Sequence, residues 1–118
     1  MNFMNFKSRI PFNDRKEESS RIMTKHPNKI PIICEKHNKS TLPNDNKHKY
    51  LVDSELTLGH FIYIIRKRIK IPPEQGIYMF INGCILSSNE TLYSIYNKYL
   101  DRDGFLYMYY TNENTFGN

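Results

Sequence analysis

Apolar residues recur with a helical period at Leu58, Phe61, Ile62, Ile65 and Ile69, while Arg66, Lys67 and Lys70 fall on other faces. Thr57, immediately upstream, is a good N-cap, and Leu56 and Phe61 have the spacing of a hydrophobic staple. Pro72–Pro73 stops the pattern, because proline has no amide hydrogen and restricts the residue before it. An amphipathic helix over 57–70 follows. Lys49, Tyr50, Leu51 and Val52 lead into it with strand-favouring types and a charged start, which suits an edge strand. A basic edge strand beside a helix with apolar residues to spare predicts a docking groove.

The other segments are read against this pair. One helical turn is expected at 7–10, before Pro11, after a loose lead-in at 1–6. A second, highly charged helix at 15–25, capped by Asn13 or Asp14, has only Ile22 and Met23 as apolar residues. A helix so poor in apolar residues must lean on something else. Residues 30–35 form a β-rich run broken by Pro31, which places it near an edge or a strand start. Residues 36–49 read as a polar loop. The runs 77–81 and 105–110 are apolar at both parities, so each needs cover on both faces of a sheet. The helix at 57–70 covers one face, which assigns the amino-terminal helical segments to the other. Asn82–Gly83 and 101–104 are turns, and 88–99 is a short helix. The order is two helical segments, strand, strand, helix, strand, short helix, strand. That is the α+β pattern of a β-grasp, ubiquitin-like fold with two additional amino-terminal helices packed on the sheet. It makes one domain over 1–111, with a helical extension at 1–26, a core at 27–111 and a flexible tail at 112–118.

Composition narrows the function. At 118 residues, 39% hydrophobic and 25% charged, the chain suits one soluble domain. No apolar run approaches the roughly 20 residues a membrane helix needs, and residues 1–10 lack a signal-peptide core, so a cytosolic protein is expected. The two cysteines form no framework, and Cys34 reads as a buried thiol. Residues 1–49 carry 11 Lys and Arg against 5 Asp and Glu, whereas residues 50–118 carry 6 against 7. The basic half favours an acidic partner, whether a protein surface, anionic lipid or nucleic acid. A merely solvated face weighs more on charge alone, since modest net charge is normal for small domains.

Catalysis finds little support. His26, His37, His48 and His60 have no metal-ligand spacing, and Asp101 and Asp103 sit in a turn where Asp is common. There is no glycine-rich phosphate loop. A binding or modifier protein is expected, with no cofactor and no metal. The tail, with Gly117 as its slim penultimate residue, suits entry into a narrow enzyme cleft; a meaningless frayed terminus is the alternative.

Collinear motifs sharpen this reading. F-K-S and P-F-N-D-R-K stand near the start, H-P-N-K-I-P-I-I-C-E-K at 26–36 and K-Y-L-V at 49–52. L-T-L-G-H-F-I-Y-I-I-R-K-R-I occupies 56–69, D-R-D-G-F-L-Y-M 101–108 and E-N-T-F-G 113–117. Together they resemble the ubiquitin-like autophagy modifier family (autophagy-related protein eight, the microtubule-associated protein light chains and the GABA-receptor-associated protein). The resemblance implies processing by a cysteine protease at Gly117–Asn118, then transfer of Gly117 by activating and conjugating enzymes to phosphatidylethanolamine. It implies a cytoplasmic protein that joins autophagosome or other vesicle membranes when lipidated, and binds cargo receptors through short aromatic-x-x-aliphatic motifs.

By position, the family's aromatic pocket resembles Glu18, Ile22, Pro31, Lys49, Leu51 and Phe105. Its aliphatic pocket resembles Tyr50, Val52, Leu56, Phe61, Ile64 and Ile65. Lys29, Lys47 and Arg68 match a basic rim that meets acids flanking the motif, and Tyr78, Met79, Phe80 and Ile81 match a second docking face that also reads as strand core. The chain departs from the family at Asp53, usually proline, at Asp45, usually apolar, and at Thr41 and Asn44, usually acidic. These departures bear on the aliphatic rim, the loop and partner preference. A reading of another class is an unconjugated scaffold that binds tubulin or another acidic surface through its basic amino-terminal helices. No nucleic-acid partner is expected.

Overall fold

The computed structural model describes residues 5–112. Its elements run α1 (Phe6–Arg9), α2 (Phe12–Lys25), β1 (Lys29–Lys36), β2 (Lys49–Asp53), α3 (Leu58–Ile69), β3 (Tyr78–Ile81), β4 (Cys84–Ile85), α4 (Leu92–Tyr99) and β5 (Leu106–Thr111). The strands form one mixed sheet in the order β2-β1-β5-β3-β4. β1 and β5 are parallel, and the other neighbours are antiparallel. This is the ubiquitin-like arrangement, with α1 and α2 as the added amino-terminal helices.

The period of two along each strand divides the packing. Ile30, Ile32 and Cys34 of β1 and Leu106, Met108 and Tyr110 of β5 join a core with Leu58, Phe61, Ile65 and Ile69 of α3 and Leu92 and Ile95 of α4. The opposite parity, Ile33 with Phe105 and Tyr107, packs with Phe6, Ile10 and Ile22 from the amino-terminal segments. The cover deduced for the second face is therefore present, and Phe6, read as part of a loose lead-in, is buried in it. Phe6 and Phe105 meet edge-to-face with ring centroids 5.4 Å apart.

Several boundaries differ from expectation. α2 begins at Phe12 with Pro11 in the N-cap position at φ −60° and no side-chain cap, so neither Asn13 nor Asp14 caps it. Pro11 opens the helix through its carbonyl, which accepts the Arg15 amide, and Asp14 instead sits in the first turn, where the helix dipole favours an anion. β1 lies inside the sheet, not at an edge. Pro31 is tolerated because the even-numbered amides of β1 point at β2, as Cys34 does in donating to the His48 carbonyl, so the missing Pro31 amide lies on the β5 side, where pairing begins only at Ile32. α4 starts at Leu92, since the Thr91 side chain caps it by accepting from the Ser94 amide. The strand β4 has only two residues, too few to leave a periodic signal.

The two helical layers are held by different means. α3 is capped as expected by Thr57, and the His60 side chain closes the box by accepting from the Thr57 amide. Its buried Leu58, Phe61 and Ile65 each contribute about 1.5–3 kcal/mol. α2 has no such stripe; its buried residues are Arg15 and Ser19. Arg15 Nε donates to Asp103 Oδ2 at 2.7 Å, and Arg15 Nη1 donates to the carbonyls of Ile10 and Lys7. The Ser19 hydroxyl donates to the Asp103 carbonyl, and Tyr107 and the Phe105 amide also donate to the Asp103 carboxylate. Arg15→Ala should cost about 3 kcal/mol, the low end for a broken buried pair, because Tyr107 and Phe105 still serve the carboxylate. Denaturant unfolding checks this: a loss below about 1 kcal/mol, the size of one ordinary hydrogen bond, would show that Asp103 does not hold α2.

Candidate functional site

β2 ends the sheet, with β1 on one side and, among the described residues, no strand on the other. Along it burial alternates, with Tyr50 and Val52 buried and Lys49, Leu51 and Asp53 exposed. Tyr50 and Val52 belong to the α3 core. Lys49 pairs in register with Ile33 and Leu51 with Pro31, on the parity that carries α1 and α2. The edge thus runs between two walls, α2 on one side and α3 on the other.

On the α2 side the expected aromatic-pocket residues come together. Ile22 is half-buried and packs with Phe105 and Ile33, while Pro31 is buried and Leu51 is 38% exposed. Lys49 Nζ reaches Glu18 Oε2 at 2.7 Å, tying β2 to α2. On the α3 side the expected aliphatic residues divide. Tyr50, Val52, Phe61 and Ile65 are core side chains, with the Tyr50 and Phe61 rings edge-to-face at 5.3 Å. Leu56 and Ile64 remain half-buried and accessible. Four of the six form the floor, and two form the wall.

The expected basic rim is already occupied. Lys29 pairs with Asp53 at 3.1 Å, and Lys47 Nζ sits 4.8 Å from the Tyr50 ring centroid. Arg68 donates from Nε and Nη2 to the two oxygens of Asp45, at 2.6 and 2.9 Å. The same carboxylate accepts from the Tyr50 hydroxyl and the Lys47 amide. Arg68 chiefly, with Lys47 and Tyr50, holds the Asp45 carboxyl well below the usual carboxylate range against its partial burial. Burial and then Asp45 push the Tyr50 hydroxyl up. The loop that carries Asp45 is anchored by buried Leu42 and by the Tyr110 hydroxyl, which donates to the Pro43 carbonyl. Two departures from the family pattern, Asp45 and Asp53, thus serve as internal partners of the rim.

Of the second expected face, Met79, Phe80 and Ile81 are buried in or beside the sheet and Tyr78 is half-buried. Gly117 and Asn118 lie outside the described residues. Cys34 is buried, and burial pushes its thiol far up, away from reactivity. Among the described residues, no group of three His, Cys, Asp or Glu could hold a metal ion, and no helix is long and apolar enough to cross a membrane.

With the edge and its walls defined, comparison with known proteins is informative. A family model described as "Autophagy protein Atg8 ubiquitin like" matches residues 14–117. The chain belongs to the Atg8 family. Autophagy-related protein 8 of Vanderwaltozyma polyspora is 51% identical over 112 residues, which span 95% of each chain. Autophagy-related protein 8 of Saccharomyces cerevisiae is 50% identical over 112 residues, 95% of this chain and 96% of that protein. The crystal structure of Trypanosoma brucei ATG8 superposes with a TM-score of 0.89 at 37% identity, covering 98% of this chain and all of the other. As an Atg8-family member, the chain is a ubiquitin-like protein with a role in autophagy.

Asp103, Arg15 and Ser19, which position α2 and with it one wall, were not singled out as site residues because each reads locally as a turn or surface residue. Asp45 leads to a measurable expectation. Its folded pKa is depressed, so its contribution to stability is complete above the unfolded value near 3.9 and is lost as pH falls through the lower folded value. A carboxyl-carbon titration by NMR should place the Asp45 transition well below that of a free aspartate; a midpoint near 4 would mean that Arg68 does not hold it.

Proposed function

We propose that this protein is a modifier of autophagy that acts through its β2 edge and through Gly117, and that it is not an enzyme. The observation that carries the groove is the exposed edge of β2, bearing Leu51 between α2 and α3. Such an edge offers backbone donors and acceptors to an extended peptide, and alternate side chains of that peptide fall into the pockets on either side. A cargo-receptor segment with an aromatic-x-x-aliphatic core fits this pattern, its aromatic anchor toward Ile22, Leu51 and Phe105 and its aliphatic anchor toward Leu56 and Ile64. Leu51→Ala tests it more cleanly than any change at Tyr50, which is core. Truncation of a pocket side chain should cost about 1–3 kcal/mol, a loss of affinity of about fivefold to about 150-fold in calorimetric titration. Unchanged affinity would remove the peptide from this edge.

Membrane attachment is proposed through Gly117, which lies within the stretch matched by the family model. A cysteine protease cleaves the Gly117–Asn118 bond and frees the glycine carboxyl. An activating enzyme then adenylates that carboxyl, a thioester carries it to the conjugating enzyme, and the amine of phosphatidylethanolamine displaces the thiol to form an amide. The covalent lipid replaces any cofactor and moves the protein from the cytoplasm to autophagosome or other vesicle membranes. Gly117→Ala should abolish cleavage and lipid attachment, whereas deletion of Asn118 should bypass the protease alone. Mass spectrometry of membrane-bound protein checks the site: a lipid at any residue other than Gly117 overturns it.

The unconjugated scaffold on tubulin or a similar acidic surface has less support. Lys7, Arg15, Arg21, Lys29 and Lys49 of the basic half each hold an acid of the same chain, which leaves less free charge for such a surface.

A further inference from the structure

Three ion pairs border the open edge, and each is closed by an acid of this chain: Glu18 on Lys49, Asp53 on Lys29 and Asp45 on Arg68. They differ in how firmly they are built. The acid side chain is 62% exposed at Asp53, 26% at Glu18 and 11% at Asp45. Asp45 also has both oxygens filled twice, by Arg68 Nη2 and the Lys47 amide on Oδ1 and by Arg68 Nε and the Tyr50 hydroxyl on Oδ2. Tyr50 is fixed in turn by its place in the α3 core. The carboxylate is therefore pre-positioned from three sides, and the Arg68 edge best shaped to take a carboxylate bidentately is already in use.

We propose that Asp45 is a built-in substitute for the acidic flank of a bound peptide, so that this groove takes aromatic-x-x-aliphatic segments with uncharged flanks. The inference rests on the groove reading given above. An acid arriving beside Arg68 meets a neutralised cation and the like charge of Asp45, and must either displace a four-bonded carboxylate or lie against it. An uncharged flank meets neither penalty. Specificity is thereby set against one class of peptide without any loss of the two apolar anchors.

Two peptides with the same aromatic-x-x-aliphatic core, one flanked by glutamates and one by glutamines, would be titrated calorimetrically into the full chain. The natural protein should bind the glutamine peptide at least as tightly as the acidic one, and Asp45→Asn should shift the ratio about fivefold toward the acidic peptide, the upper range for an exposed pair. The gain should vanish at high salt and in the Asp45→Asn/Arg68→Gln double variant, while affinity for the glutamine peptide stays within about twofold. Arg68→Gln alone should move the ratio further toward the glutamine peptide, because the Asp45 charge then faces the flank uncompensated, and a shift toward the acidic peptide overturns the proposal. A natural protein that already prefers the acidic peptide tenfold, or an Asp45→Asn variant with an unchanged ratio, overturns the proposal and leaves the groove standing. Failure of both peptides to bind overturns the groove reading and this one together.

Discussion

Asp103 is completely buried, and the placement of α2 depends on what it holds. Its carboxylate takes Arg15, Tyr107 and the Phe105 amide, and its carbonyl takes Ser19. A buried carboxylate without partners would be strongly unfavourable, so the helix that brings Arg15 and the turn that carries Asp103 are obligatory to one another. Gly104 completes the arrangement. It has φ of +91°, and a side chain there would run into Ser19, so both the turn and the approach of α2 require glycine. The consequence for function is direct, because α2 carries Glu18 and Ile22 to the side of β2.

How much of this could be read from the sequence follows from the range of the interactions. α3 was legible because its cap, its apolar period and its proline stop all lie within one short stretch. The two-layer cover of the sheet was legible from strands apolar at both parities, which need cover on both faces wherever that cover comes from. The start of α2 was not, because its N-cap is a proline without a side-chain bond and two polar residues nearby looked better. Arg15 and Asp103 are 88 positions apart, and neither belongs to a periodic pattern that would pair them. β4 is too short to be seen against a turn.

The candidate site divides along the same line. The positions carried over from the family lie on or near β2, α2 and α3, but sequence does not separate the floor of a proposed pocket from its wall. Tyr50, Phe61 and Ile65 are floor because they also hold α3 to the sheet. Leu51 stays exposed, and Leu56 and Ile64 half-buried, beside that core. The departures at Asp45 and Asp53 were visible as departures, yet their partners were not, since Arg68 and Lys29 lie 23 and 24 positions away. The resemblance assigns both cations to a rim that meets acids flanking a peptide motif; in the fold each pairs with an acid of this chain.

An open edge strand is a hazard as well as a site, because its unpaired backbone invites any extended chain. Here the exposed face of β2 has a lysine at its start, an aspartate at its end and a single apolar side chain, Leu51, between them. That limits chance pairing while leaving one apolar contact at the centre. The charges do not act as a uniform positive field, since the acids of α2, of β2 itself and of the preceding loop close them locally. Paired charges of this kind still cost something to desolvate, so a chain that covers them without an anchor in the pockets gains little. For the proposed peptide, recognition would then rest on apolar fit at Leu51 and its two walls, with the ion pairs around it disfavouring chains that lack that fit.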